Sequence, residues 1–97
     1  MKPHRFHRKA DAEYARAAEY YAAISPQLGG RFYDEIERLI AEIRSQPGLY
    51  RVYDTPARRH FSTVFPYAVI YLEDPGTIWI LAIMHFKRKP GYWKSRL

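Results

Sequence analysis

The sequence predicts an α+β fold of two layers. A short N-terminal strand is followed by an antiparallel helical hairpin and a three-strand antiparallel meander, all in one domain spanning residues 1–97. Three observations predict it. Between residues 9 and 45, apolar side chains recur at steps of three and four, the period of a helix buried along one side. Between 58 and 85 they alternate or run on in short blocks, as strands do. Ser25-Pro26, Pro66 and Asp74-Pro75-Gly76-Thr77 separate these blocks, because proline restricts both itself and the residue before it.

The elements follow in order. Residues 3–7, PHRFH, suit a short strand with Phe6 as its one strongly apolar residue. From Lys9 to Ile24 the stripe Ala10, Tyr14, Ala17, Tyr21 and Ile24 predicts a first helix, and its alanine content favours one. A second helix from Pro26 or Gln27 to Ser45 carries Leu28, Phe32, Ile36, Leu39, Ile40 and Ile43 on one side. Gly29-Gly30 weakens its first turn, which moves the expected start later. Asp34, Glu35, Glu37, Arg38, Glu42 and Arg44 fall mostly on the other side, with spacings typical of a solvated face. Helices joined by so short a turn pack antiparallel.

Residues 47–57 hold turn formers and read as a connecting loop. Residues 58–65 alternate as a strand, with Arg58, His60, Ser62 and Val64 on one side. Arg59, Phe61, Thr63 and Phe65 fall on the other. Tyr67 to Glu73 is a second strand, and the turn Asp74 to Thr77 leads into a third, Ile78 to His85. Period-2 counting puts Ile78, Ile80, Ala82 and Met84 on one face of that last strand, and Trp79, Leu81, Ile83 and His85 on the other. Apolar on both sides, it belongs in the middle of the sheet. One sheet face takes the hairpin; no helix remains for the other. An open apolar face in phase with Trp79, Leu81, Ile83 and His85, joined by Tyr67 and Tyr71, would be an interaction surface.

Composition narrows the function. The chain contains no cysteine, so it has neither disulfides nor a thiolate metal site, which suits a reducing cytoplasm. No apolar run approaches the roughly 18 residues that cross a bilayer. The basic start MKPHRFHRK is not followed by a signal-peptide core. The protein is expected to be cytoplasmic, with no membrane partner. His4 and His7 lack a third ligand nearby, so no metal and no other cofactor are expected. The net charge is +6 and it is zoned. Residues 1–9 and 47–97 are basic and residues 10–46 are acidic, while the last 13 residues hold five bases and no acid. Such a surface favours polyanions or acidic proteins.

The candidate site lies where the last strand delivers His85 and the tail FKRKPGYW. His85 supplies an imidazole, the side chain whose chemistry suits proton transfer. Arg58, Arg59 and Arg88 can hold a phosphate bidentately, with Lys89 beside them, and Tyr92 can stack on a base or donate a proton. Each also has a purely structural reading. His85 can be a packing residue, Arg58 and Arg59 can pair with helix acids, and Pro90 to Trp93 can fold back over the core.

Three segments carry a resemblance: YYAAISPQLGGRFYDEIERLIAEIRSQP (20–47), ARRHFSTVFPYAVIYLED (57–74) and IWILAIMHFKRKPGYWKSRL (78–97). In this order, and over nearly the whole chain, they resemble the RelE/ParE superfamily of toxins from type II toxin–antitoxin modules, the plasmid-stabilisation proteins. The resemblance implies a small basic toxin neutralised by a cognate acidic antitoxin, with operator DNA bound only through that antitoxin. Two targets are known in the superfamily. ParE-like members bind and poison DNA gyrase and are not enzymes. RelE-like members cleave mRNA on the ribosome without metal, and there His85 and Arg88 would be catalytic. The long hairpin with its YY…S…LG…RF…E pattern is more similar to the ParE side. Three functions follow: a gyrase-binding toxin, a ribosome-dependent endoribonuclease, and a degenerate member that only binds its antitoxin.

Overall fold

A computed structural model describes all of residues 1–97. The order is β1 (His4–Phe6), α1 (Arg8–Ile24), α2 (Pro26–Ser45), β2 (Val52–Asp54), β3 (Ala57–Phe61), β4 (Tyr67–Glu73), β5 (Ile78–His85) and a closing 3-10 turn (Lys94–Arg96). Both helices pack on one face of a single sheet with strand order β1-β5-β4-β3-β2. β1 pairs parallel with β5, and the other pairings are antiparallel. No helix is long and apolar enough to cross a membrane.

Ser25 sets the hairpin. Its extended backbone ends α1 while its N–H donates to Tyr21 O, and its Oγ accepts from Leu28 N–H at 3.0 Å to cap α2. Pro26 takes the first helical position, where its missing N–H costs nothing. The cap outweighs Gly29-Gly30, so α2 starts at its earliest expected residue. Gly29 is needed: a Cβ there would lie 2.7 Å from Ala22 Cβ on α1.

The helix stripes face the sheet as the spacing predicts. Tyr14, Phe32, Ile36, Leu39, Ile40 and Ile43 are buried with Val69, Tyr71, Ile78, Ile80 and Ile83. Ile24 differs; as the last residue of α1 it is 60% exposed. Glu35 differs in the opposite sense. Expected on the solvated side, it is buried, with Arg38 and Ser62 as partners.

The expected loop 47–57 contains β2, a fourth antiparallel strand of three residues, which extends the meander. The strand expected over 58–65 stops at Phe61 instead. Ser62 breaks the alternation by turning its hydroxyl onto the N–H groups of Val64 and Phe65.

β5 departs from period 2. Against β4, Ile80 pairs with Tyr71 and Ala82 with Ile70, so Leu81 is an extra residue, a β-bulge. Ile78, Ile80, Ile83 and His85 therefore lie on the helix side, while Trp79, Leu81, Ala82 and Met84 lie on the other. That second face is not open. Residues 86–97 fold back over it and bury Trp93 completely among Ala57, Ala68, Ile70, Leu81, Ala82 and Met84.

Candidate functional site

Covering the second face leaves a different concavity, between α1 and the C-terminal end of β5. A groove of about 490 Å³ is lined by Glu13, Arg16, Ala17, Tyr20, Tyr67, Ile83, His85 and Arg88. It continues over Tyr20, Tyr21, Ile24, Pro66, Tyr67 and His85. One end is cationic and the other apolar and aromatic.

The fold positions each wall. The bulge turns Ile83 and His85 toward α1, and Tyr67 opposes His85 across the β4–β5 ladder, their rings edge-to-face at 5.0 Å. Glu13, Arg16, Ala17 and Tyr20 come from one side of α1 at helical spacing. His85 Nδ1 accepts from Lys87 N–H at 3.0 Å, which leaves Nε2 as the ring's donor in the neutral form. Arg88 lies over the Tyr92 ring at 3.8 Å, with Nη1 3.9 Å from Glu13 Oε2. Its side chain is 53% exposed, which leaves the guanidinium free to take an anion.

Of the expected site residues, His85 and Arg88 come together here. Lys89 is exposed just beyond them. Tyr92 is adjacent but committed. Its hydroxyl donates to Glu13 Oε2 at 2.8 Å, and Arg96 stands 5.0 Å from its ring on top of the Arg88 contact. Burial, with that bond to a carboxylate, pushes its pKa well above the usual phenol value. Arg58 and Arg59 lie elsewhere and on opposite sides of the sheet. Arg58 Nη1 donates to Tyr50 O at 2.8 Å. Arg59 sits 4.4 Å from the rings of both Tyr53 and Phe61, with its Nε unpartnered. Strand alternation separates neighbouring residues, so the pair cannot clasp one phosphate together.

Sequence reasoning missed Glu13, Arg16 and Tyr20, whereas it placed Tyr67 with Ile83 and His85 on one face, expected to be open rather than a groove wall beside α1. The signal for the first three was present: they are three and seven residues apart on α1, beside the apolar stripe. The ring contact of Tyr67 with His85 was not legible, because it follows from strand register.

Known proteins agree with this architecture. Residues 4–90 match the family model described as ParE toxin of type II toxin-antitoxin system, parDE. Among solved structures, the chain is similar to one titled "Chromosomal ParDE TA system from P. aeruginosa", with a TM-score of 0.75 at 20% identity. The match covers 88% of this chain and 96% of that one, and at such identity it speaks for the fold. No curated protein matches the sequence.

Proposed function

Because the chain belongs to the ParE toxin family of type II toxin–antitoxin systems, we propose that it inhibits growth by binding DNA gyrase, without chemistry of its own. Family membership implies an antitoxin partner. That partner neutralises it by laying an acidic, amphipathic segment in the groove between α1 and β5. The groove suits such a segment: Arg16, Arg88 and His85 Nε2 offer donors at one end, and Tyr20, Tyr67 and Ile24 offer apolar surface at the other.

One observation carries the preference for binding over cleavage. Metal-free RNA cleavage needs one group to accept a proton and a second to donate one. His85 can serve as one of them. Tyr92, the neighbouring candidate for the other, spends its hydroxyl on Glu13. Glu13 in turn is spent on Arg96. A ribonuclease reading keeps one observation in its favour, the free Nε2 of His85 beside two arginines that could hold a phosphate.

The test is to add purified protein to a gyrase supercoiling reaction and to translating ribosomes probed for mRNA cuts. Supercoiling should be inhibited, with His85→Gln nearly as potent as the wild type and Arg88→Ala weaker. Messenger cleavage that falls by about 10²–10⁴-fold on His85→Gln would instead establish the ribonuclease.

A further inference from the structure

We infer that Glu13 is a positioning residue, which locks residues 86–97 in place so that Arg88 stands at the mouth of the groove. The inference rests on the reading of Arg88 and the groove as the binding surface. β1 ends at Phe6, so the outer edge of β5 beyond Ile80 has no strand to pair with. An unpaired strand edge exposes N–H and C=O groups. Here two side chains close it. Glu13 Oε1 accepts from Ile83 N–H at 3.1 Å, and Arg96 Nη1 donates to Leu81 O at 2.9 Å. The same two residues form a bidentate pair, with Arg96 Nη1 and Nη2 each 2.9 Å from a Glu13 oxygen. Both side chains are under 10% exposed.

Glu13 therefore ties together three parts of the chain: α1, the freed edge of β5 and the C-terminal segment. The start of that segment is held by backbone donors, Phe86 N–H to Pro66 O and Lys87 and Arg88 N–H to His85, but past Arg88 the remaining polar tie is Lys94 to Asp54, an exposed pair of the kind that contributes little. The rest of the attachment is apolar, through Trp93. Removing the Glu13 charge leaves the Arg96 guanidinium buried and unneutralised, which the segment can relieve only by lifting off. Arg88 would leave with it, since its ring platform, Tyr92, hangs from the same carboxylate.

Hydrogen exchange and tryptophan emission on the full chain test this, with Trp79→Phe as background so that Trp93 alone reports. In Glu13→Gln, exchange across 86–97 should accelerate about 10–100-fold, as expected for losing hydrogen bonds to a charged group. Trp93 emission should move to the red, exchange in Ile36–Ile43 should stay unchanged, and growth inhibition by the chain expressed alone should fall at least about tenfold. Tyr92→Phe withdraws a single hydroxyl and should give the same pattern at smaller amplitude, which serves if the glutamine variant does not fold. An unchanged tail, or equal acceleration in the tail and α2, overturns the inference. Arg88→Ala separates it from the reading beneath it. Growth inhibition that survives Arg88→Ala overturns the groove reading itself. Inhibition lost in Arg88→Ala but kept in a Glu13→Gln protein with a released tail overturns the positioning role alone.

Discussion

Ser62 Oγ donates to Glu35 Oε2 at 2.7 Å while accepting the N–H groups of Val64 and Phe65 at 3.0 and 2.9 Å. Arg38 holds the same carboxylate from the other side, through Nε at 2.8 Å and Nη2 at 3.0 Å. A charge on α2 thus pins the β3–β4 turn, and with it the strand that carries Tyr67 into the groove.

The hydrogen bond from Arg38 holds the Glu35 carboxyl below the usual carboxylate range; burial opposes this and Ser62 adds to it. The folded protein therefore binds this proton more weakly than the unfolded chain. The resulting stability is full above the unfolded value of about 4.3 and is lost as pH falls through the lowered folded value. Urea denaturation should show Glu35→Gln clearly less stable than the wild type at about pH 7, with the gap narrowing toward about pH 3. A gap that widens in acid would contradict the assignment.

Ile36 is fully buried between α2 and the sheet, and Ile24 is largely exposed. Ile36→Ala should cost roughly 2–5 kcal/mol in denaturant melts. Ile24→Ala should stay within about 0.5 kcal/mol of wild type. If Ile24 lines the partner's path, its substitution should weaken antitoxin binding without touching stability.

Neighbouring glycines of α2 should respond with opposite sign. A Cβ at Gly29 would meet Ala22 at 2.7 Å, whereas one at Gly30 would meet nothing within 4 Å. Gly29→Ala should destabilise by about 1–3 kcal/mol through overpacking of the hairpin. Gly30→Ala should stabilise by about 0.5–1 kcal/mol, the ordinary gain of alanine over glycine inside a helix. Thermal melts of the two single variants decide it.

Trp93 is the largest fully buried side chain, and its indole N–H has no hydrogen-bond partner. Trp93→Ala should cost about 3–5 kcal/mol. Trp93→Phe should cost less, since it gives up volume but no hydrogen bond. Equal losses in the two variants would mean that the indole nitrogen has a partner in solution.

The helices, their burial stripes, the turn between them and the strand sequence were legible in the chain, because each rests on local periodicity and on proline chemistry. Ile36 and Phe32 needed nothing more distant than their own spacing. Three features were not legible. β2 is three residues long and sits beside Pro56, too short to build a period. The second sheet face looked open because the return of residues 86–97 is decided by where Trp93 finds volume, which no spacing records. Nothing in the sequence singled out Glu13, since its partners Tyr92 and Arg96 lie 79 and 83 residues away. His85 and Arg88 were found because they cluster in sequence, while Arg58 and Arg59 also cluster and are divided by the sheet.

The bulge at Leu81 gives β5 eight residues against seven in β4. Up to Leu81 the strand follows simple alternation, and beyond it every side chain has changed face. A deletion of one codon there would leave composition, charge and length nearly untouched. It would remove the bulge and leave Ile83 and His85 facing α1, whereas pairing all eight residues without the bulge would send them into the volume now filled by Trp93 and turn Met84 toward α1. The groove in this toxin is thus encoded in the bulge at Leu81 as well as in the residues that line it.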